Sequence, residues 1–153
     1  MAGPEARRLV GMTEVEFHTG VSEPLAFACR LLRKAVRQGV RVQVTAPADT
    51  LAALDRLLWT FEERDFVPHA RVPGVPASLA RRTPLWLSTA VQVDDAPRVL
   101  VNLGGDMPDV AAPVDRVIEI VATEDAADGR ERWRAYKALG VPMKHHTASG
   151  PGA

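Results

Sequence analysis

From Met12 onward, short apolar runs alternate with stretches of helical periodicity. Val15-Glu16-Phe17-His18 alternates with period two and predicts a strand. Ser22, Glu23 and Pro24 then mark a helix start: a hydroxyl able to cap, a first-turn acid, and a proline where its missing N–H costs nothing. Leu25, Ala28, Cys29, Leu32, Ala35 and Val36 recur at helical spacing, and Gly39 suits the stop. Val40, Val42 and Val44 predict the next strand. Asp49 or Thr50 can cap a second helix, with Leu51, Leu54, Leu57 and Leu58 on one face and an end near Trp59. After Phe66-Val67-Pro68-His69 the chain reads as a long loop rich in Pro, Gly and Arg. Further strands are predicted at Leu85-Trp86-Leu87, Val99-Leu100-Val101 and Val117-Ile118-Glu119-Ile120-Val121. A last helix runs from about Glu124 to Leu139 and stops at Gly140 and Pro142.

Strands alternating with helices predict βαβ units, hence an α/β fold: one Rossmann-like three-layer α/β/α domain with a mostly parallel sheet. The 153 residues suit a single domain. Residues 1–11 lack periodicity and read as a disordered leader, residues 12–144 as the domain, and residues 145–153 as a flexible tail. No apolar run reaches the roughly 20 residues of a membrane helix, so no membrane partner is expected and the cytoplasm is the default location.

Composition narrows the chemistry. Lys plus Arg is 19 and Asp plus Glu is 19, so net charge is zero. A chain that grips nucleic acid by its phosphates carries a positive excess, so direct DNA binding is disfavoured. The single cysteine, Cys29, excludes an internal disulfide and cannot alone build a structural zinc site.

The fold class invites a search for phosphate loops. The turn His18-Thr19-Gly20-Val21-Ser22 fits neither dinucleotide nor P-loop spacing. Gly104-Gly105 follows a strand, but Asp106 would repel phosphate and Pro108 removes a donor. Cys29 lies on an apolar helix face, where a thiol is inert. His18 and His69 read as structural or solvent-facing. His145 and His146 are adjacent and would point to opposite faces of an extended strand, away from any shared metal. No catalytic residue, cofactor site or metal site is expected.

Two clusters stand apart. Trp59, Phe61 and Phe66-Val67-Pro68-His69 gather aromatics at a helix end and in the following loop. A corner of the core is one reading, and an apolar surface for a protein partner is the other. The last helix has Glu124, Asp125 and Asp128 early and Arg130, Arg132, Arg134 and Lys137 later, which suits the helix dipole. Its wheel adds that Arg130, Trp133, Arg134 and Lys137 share one arc of roughly 100°, while Tyr136 and Leu139 point elsewhere, toward the core. A basic face around an indole fits an acidic peptide ending in an apolar anchor.

At these clusters the chain resembles the chi subunit of bacterial DNA polymerase III, a clamp-loader accessory protein. The resemblance lies in Leu54-Asp55-Arg56-Leu57-Leu58-Trp59, Phe66-Val67-Pro68-His69, Val99-Leu100-Val101-Asn102-Leu103 and Arg130-Glu131-Arg132-Trp133-Arg134-Ala135-Tyr136-Lys137 with Gly140, in order along the chain. It implies a Rossmann-like fold without a working nucleotide site, and a non-enzymatic adaptor that touches DNA only indirectly. Trp59, Phe66, Val67 and Pro68 would face a psi-type clamp-loader subunit. Arg130 and Trp133, with Arg134 and Lys137, would receive the acidic C-terminal tail of single-stranded-DNA-binding protein. Ala126 and Ala127 stand where the family carries a Lys, and Trp133 where it carries a Tyr. The alternative is a small nucleotide-binding α/β enzyme.

Overall fold

A computed structural model describes residues 13–60, 67–108 and 113–148. The elements follow as β1 (Glu14–Val21), α1 (Pro24–Arg37), β2 (Val42–Thr45), α2 (Ala48–Thr60), β3 (His69–Arg71), α3 (Ala77–Arg82), β4 (Leu85–Ser88), β5 (Val99–Asn102), β6 (Arg116–Ala122), a 3-10 turn (Thr123–Asp125), α4 (Ala126–Ala138) and β7 (Met143–Thr147). The strands form one seven-stranded sheet in the order β3-β4-β2-β5-β6-β1-β7. Every pairing is parallel.

The side chains alternate between two cores. One face carries Val42, Val44, Leu85, Leu87, Val101, Ile118 and Ile120, covered by Ala28, Cys29 and Leu32 of α1 and by Leu51, Leu54 and Leu58 of α2. The other carries Val15, Phe17, Leu100, Val117 and Val121, covered by Tyr136 of α4. On that second face Trp86 donates from Nε1 to the carbonyls of Ala80 and Thr83 at the end of α3. The three-layer α/β/α arrangement agrees with the expectation from the sequence.

Differences from the sequence reading are local. The Pro-, Gly- and Arg-rich segment holds β3 and α3, whose three and six residues are too short to show a period. Val40 lies outside β2 and is exposed. Pro24 opens α1 as predicted, but no side chain caps it. Leu139 is 51% exposed rather than core, because α4 has ended before it.

The largest correction concerns the segment read as a flexible tail. Residues 145–147 belong to β7, which pairs with β1 from Val15↔Met143 to Thr19↔Thr147. The ladder is extended at both ends, from Val15 N–H to Pro142 C=O and from Ala148 N–H to Thr19 C=O. As an edge strand β7 is exposed at four of five positions, so its sequence has no apolar alternation to read. Residues 149–153, like the leader 1–11, lie outside the described residues. Among the described residues no helix is long and apolar enough to cross a membrane.

Candidate functional site

The C-terminal end of β6 divides two clefts. Ile120 and Ala122 face one and Val121 the other, as strand alternation demands. The first cleft, central to the sheet, is about 410 Å³. The second, lateral and bounded by α4, is about 440 Å³.

The lateral groove has an apolar floor and polar walls. Phe17, Val121 and Trp133 line it, with Thr19 and Gly20 at the end of β1 and His145 and Thr147 on β7. Trp133 stands edge-on to Phe17 with ring centroids 5.2 Å apart, and the His145 ring lies 5.6 Å from the indole. The His145 ring nitrogen Nε2 sits 2.7 Å from Thr19 Oγ1, which holds the imidazole against the wall. Arg130 completes the rim. Its guanidinium is exposed and has no ion-pair partner among the described residues.

Two features set α4 at the right depth. Gly129 lies against β6 so closely that a Cβ there would come within 2.6 Å of Val121 Cγ1. Only glycine lets the helix approach that far. Glu119, fully buried in β6, then pins the helix from below. Tyr136 donates its hydroxyl to Glu119 Oε2 at 2.7 Å, Arg132 Nε donates to Oε1 at 2.9 Å, and Asn102 of β5 donates Nδ2 to both oxygens. Burial pushes the Glu119 carboxyl up, and the Arg132 charge with the three donors pulls it back. Burial and the neighbouring Glu119 push the Tyr136 phenol up, so it stays a donor.

The structure brings together Arg130 and Trp133 of the four predicted tail-binding residues. Arg134 and Lys137 are exposed on α4 but do not line the groove. Trp133 is half-buried against Phe17 rather than standing free among cations. Arg132, counted with the basic stretch, is spent on Glu119. Glu119, Gly129 and His145 were not foreseen as site residues. The signal for Glu119 is an acid inside the apolar run Val117–Val121. In a strand covered on both faces, such a charge requires a buried partner.

The second predicted patch divides. Trp59 is 60% exposed at the end of α2, edge-on to His69 at 5.1 Å. Pro68, next to His69 in the chain, is half-buried. Val67 is 4% exposed and belongs to the core, which corrects its assignment to the surface. A valine ahead of a parallel strand packs inward as the strands themselves do. Phe66 lies outside the described residues. His69 is structural: its ring bonds Val67 C=O at 2.7 Å and Asp55 Oδ1 at 2.8 Å.

The central cleft sits where α/β sheets usually bind ligands, beyond the carboxyl ends of the strands and between the starts of α1 and α2. Its lining includes Asp49, Glu124 and Asp125, with Pro24 and Pro47 at the helix starts. Carboxylates repel phosphate, and a proline offers no N–H to it.

Residues 12–144 match the model of the family described as DNA polymerase III chi subunit, HolC. The DNA polymerase III subunit chi of Pseudomonas aeruginosa is 31% identical over 142 residues, covering 88% of this chain and 96% of that one. The subunit of the same name from Haemophilus influenzae is 27% identical over 117 residues, covering 74% and 79%. Among solved structures, domain 2 of a DEAD-box helicase bound to an RNA duplex aligns with a TM-score of 0.56 at 11% identity, covering 90% of this chain and 65% of that chain. A chain of Saccharomyces cerevisiae dbp5 bound to nup159 and gle1 gives 0.56 at 12% identity, covering 98% and 44%. At such identities the structural likeness concerns the fold alone.

Proposed function

Because the chain belongs to the family of DNA polymerase III chi subunits, accessory proteins of replication, we propose that it is a non-enzymatic cytoplasmic adaptor. Its lateral groove receives the acidic, apolar-ended C-terminal tail of single-stranded-DNA-binding protein. The observation that carries this reading is the pairing of an unengaged guanidinium with an apolar floor: Arg130 at the rim, and Phe17, Val121 and Trp133 beneath. A guanidinium grips a carboxylate through two parallel hydrogen bonds. The terminal apolar side chain of the tail then packs beside the indole, out of water. Arg134 and Lys137, one turn and two turns along the exposed side, act at longer range on the tail's other acids.

Calorimetry with the tail peptide tests this. Arg130→Ala is expected to weaken binding by about 2 kcal/mol, roughly thirtyfold, as removal of a central anchor does. Arg130→Lys restores only part, since an ammonium cannot form the fork. Added salt weakens the wild-type interaction. The melting temperature of Arg130→Ala stays near that of the wild type, because an exposed helix arginine contributes little to folding. Equal affinities would move the site elsewhere, and a collapsed melting temperature would make Arg130 structural.

The psi-type subunit of the clamp loader is assigned to the opposite flank, around Trp59 and Pro68. An indole left 60% exposed beside a firmly hydrogen-bonded His69 is suited to burial in a partner. Trp59→Ala is expected to abolish capture of that subunit while leaving tail-peptide affinity unchanged. Loss of both together would indicate a general folding defect.

A further inference from the structure

Adjacent histidines on β7 serve opposite faces of the sheet. His145 turns toward α4 and the groove, whereas His146 turns to the α1 side and meets β1. There it is the register partner of His18. The two imidazoles stack with centroids 4.9 Å apart and planes inclined by 18°. Glu16, two residues before His18 and therefore on the same face, reaches both. Its Oε1 lies 2.8 Å from His146 Nε2 and 3.4 Å from His18 Nε2. The three ligand atoms all lie within 4.8 Å of one another.

We propose that Glu16, His18 and His146 bind a divalent transition-metal ion, with zinc the leading candidate, across the β1–β7 edge. A tetrahedral zinc with ligands at 2.0–2.1 Å holds them roughly 3.4 Å apart; the Glu16–His18 separation of 3.4 Å matches that spacing, and the Glu16–His146 separation of 2.8 Å would open by about 0.6 Å to admit the ion. Two imidazoles and one carboxylate are a donor set for borderline ions. Calcium and magnesium require more oxygen ligands than are present. The other carboxylate oxygen, Oε2, accepts from Arg116, which fixes the orientation of the ligand and leaves Oε1 to the site. Arg116 also offsets part of the carboxylate charge, which disfavours hard ions further and shifts more of the binding onto the imidazoles. The Phe27 ring, 5.2 Å from His18, backs the site on the α1 side. His18 and Glu16 are 19% and 14% exposed, so their geometry is held by the sheet, while His146 at 52% leaves a path of entry and room for a water as fourth ligand. An ion there would tie the exposed edge strand to its neighbour.

The test is a titration of the full chain, freed of any polyhistidine tag, with zinc sulfate in a non-coordinating buffer, read by calorimetry and by thermal melting. One zinc per chain and a raised melting temperature are expected. His146→Ala and His18→Ala are each expected to lose at least tenfold in affinity, and His145→Ala to keep it. Excess calcium or magnesium should not compete. His146→Ala alters an exposed edge position, so its metal-free melt should match the wild type and the variant remains informative even if His18→Ala folds poorly. No stoichiometric uptake, or wild-type zinc affinity in His146→Ala, would overturn the proposal and leave the three side chains as a plain hydrogen-bonded cluster.

Discussion

The central and lateral clefts are nearly equal in size and share a wall in β6, yet their chemistry is opposite. The central one occupies the position from which α/β folds commonly act on nucleotides, and it presents carboxylates and prolines. The lateral one sits off the sheet's centre, and it presents an arginine over an aromatic floor. Position in the fold therefore says little about function here, and the lining residues say most of it. A single strand contributes to both linings, because successive side chains of β6 leave on opposite faces.

The most damaging way to break this contrast is to remove the support beneath the lateral groove. Glu119→Ala would leave the Tyr136 hydroxyl and the Arg132 guanidinium without their buried acceptor. A cost of about 3–5 kcal/mol is expected in urea unfolding, as for breaking a buried charged pair from one side. Tail-peptide binding should fall with it. A loss below about 1 kcal/mol would mean that α4 is held by packing alone.

Crowding the helix is expected to have a smaller effect. Gly129→Ala places a methyl group against Val121 and should cost about 1–3 kcal/mol, with α4 displaced and peptide affinity lowered. Val121→Ala in the same chain should recover part of both losses, so the pair should show coupling in a double-mutant cycle. The central side should not register the change. Cys29 lies on the other core, where burial pushes its thiol up to about 11, so the Gly129→Ala protein should resist a disulfide reagent at pH 8 as the wild type does. Rapid labelling of Cys29 in that variant would show that the two sides yield together.

The smallest expected effect is none. ATP or NAD added to the wild type should leave the melting temperature unchanged, because the central cleft offers phosphate three carboxylates and two prolines. A nucleotide-dependent rise that disappears on mutating Asp49 or Thr50 would erase the contrast between the clefts and revive the enzyme reading.

What was legible in the sequence follows from where each segment lies. Buried parallel strands announce themselves as apolar runs, so β4, β5 and β6 were readable, and α1 carried its period in Ala28, Cys29 and Leu32. β7 was not readable, since an edge strand made of Met-Lys-His-His-Thr buries too little to alternate. Arg130 and Trp133 could be paired from the helical wheel alone. The wheel could not separate them from Arg134 and Lys137, because the groove's other wall comes from β1, more than 100 residues earlier, and from the edge strand β7, which carries no apolar alternation to read. Val67 was misplaced for a related reason: an apolar residue beside a proline looks the same whether the chain there faces water or the core.

The position of β1 between β6 and β7 also constrains how the molecule is made. Glu16 waits for Arg116, 100 residues along the chain, and Thr19 for His145, 126 residues along. During synthesis from the N-terminus, β1 emerges before the other described strands and is nevertheless among the last to gain its neighbours. The α1, β2 and α2 segments can collapse early around Leu32, Val44 and Leu54, while β1 stays unpaired until residues 116–122 arrive and the groove stays unformed until residues 143–147 do. Contacts of such long range slow folding, and they make the groove a report that the whole domain has been translated and assembled.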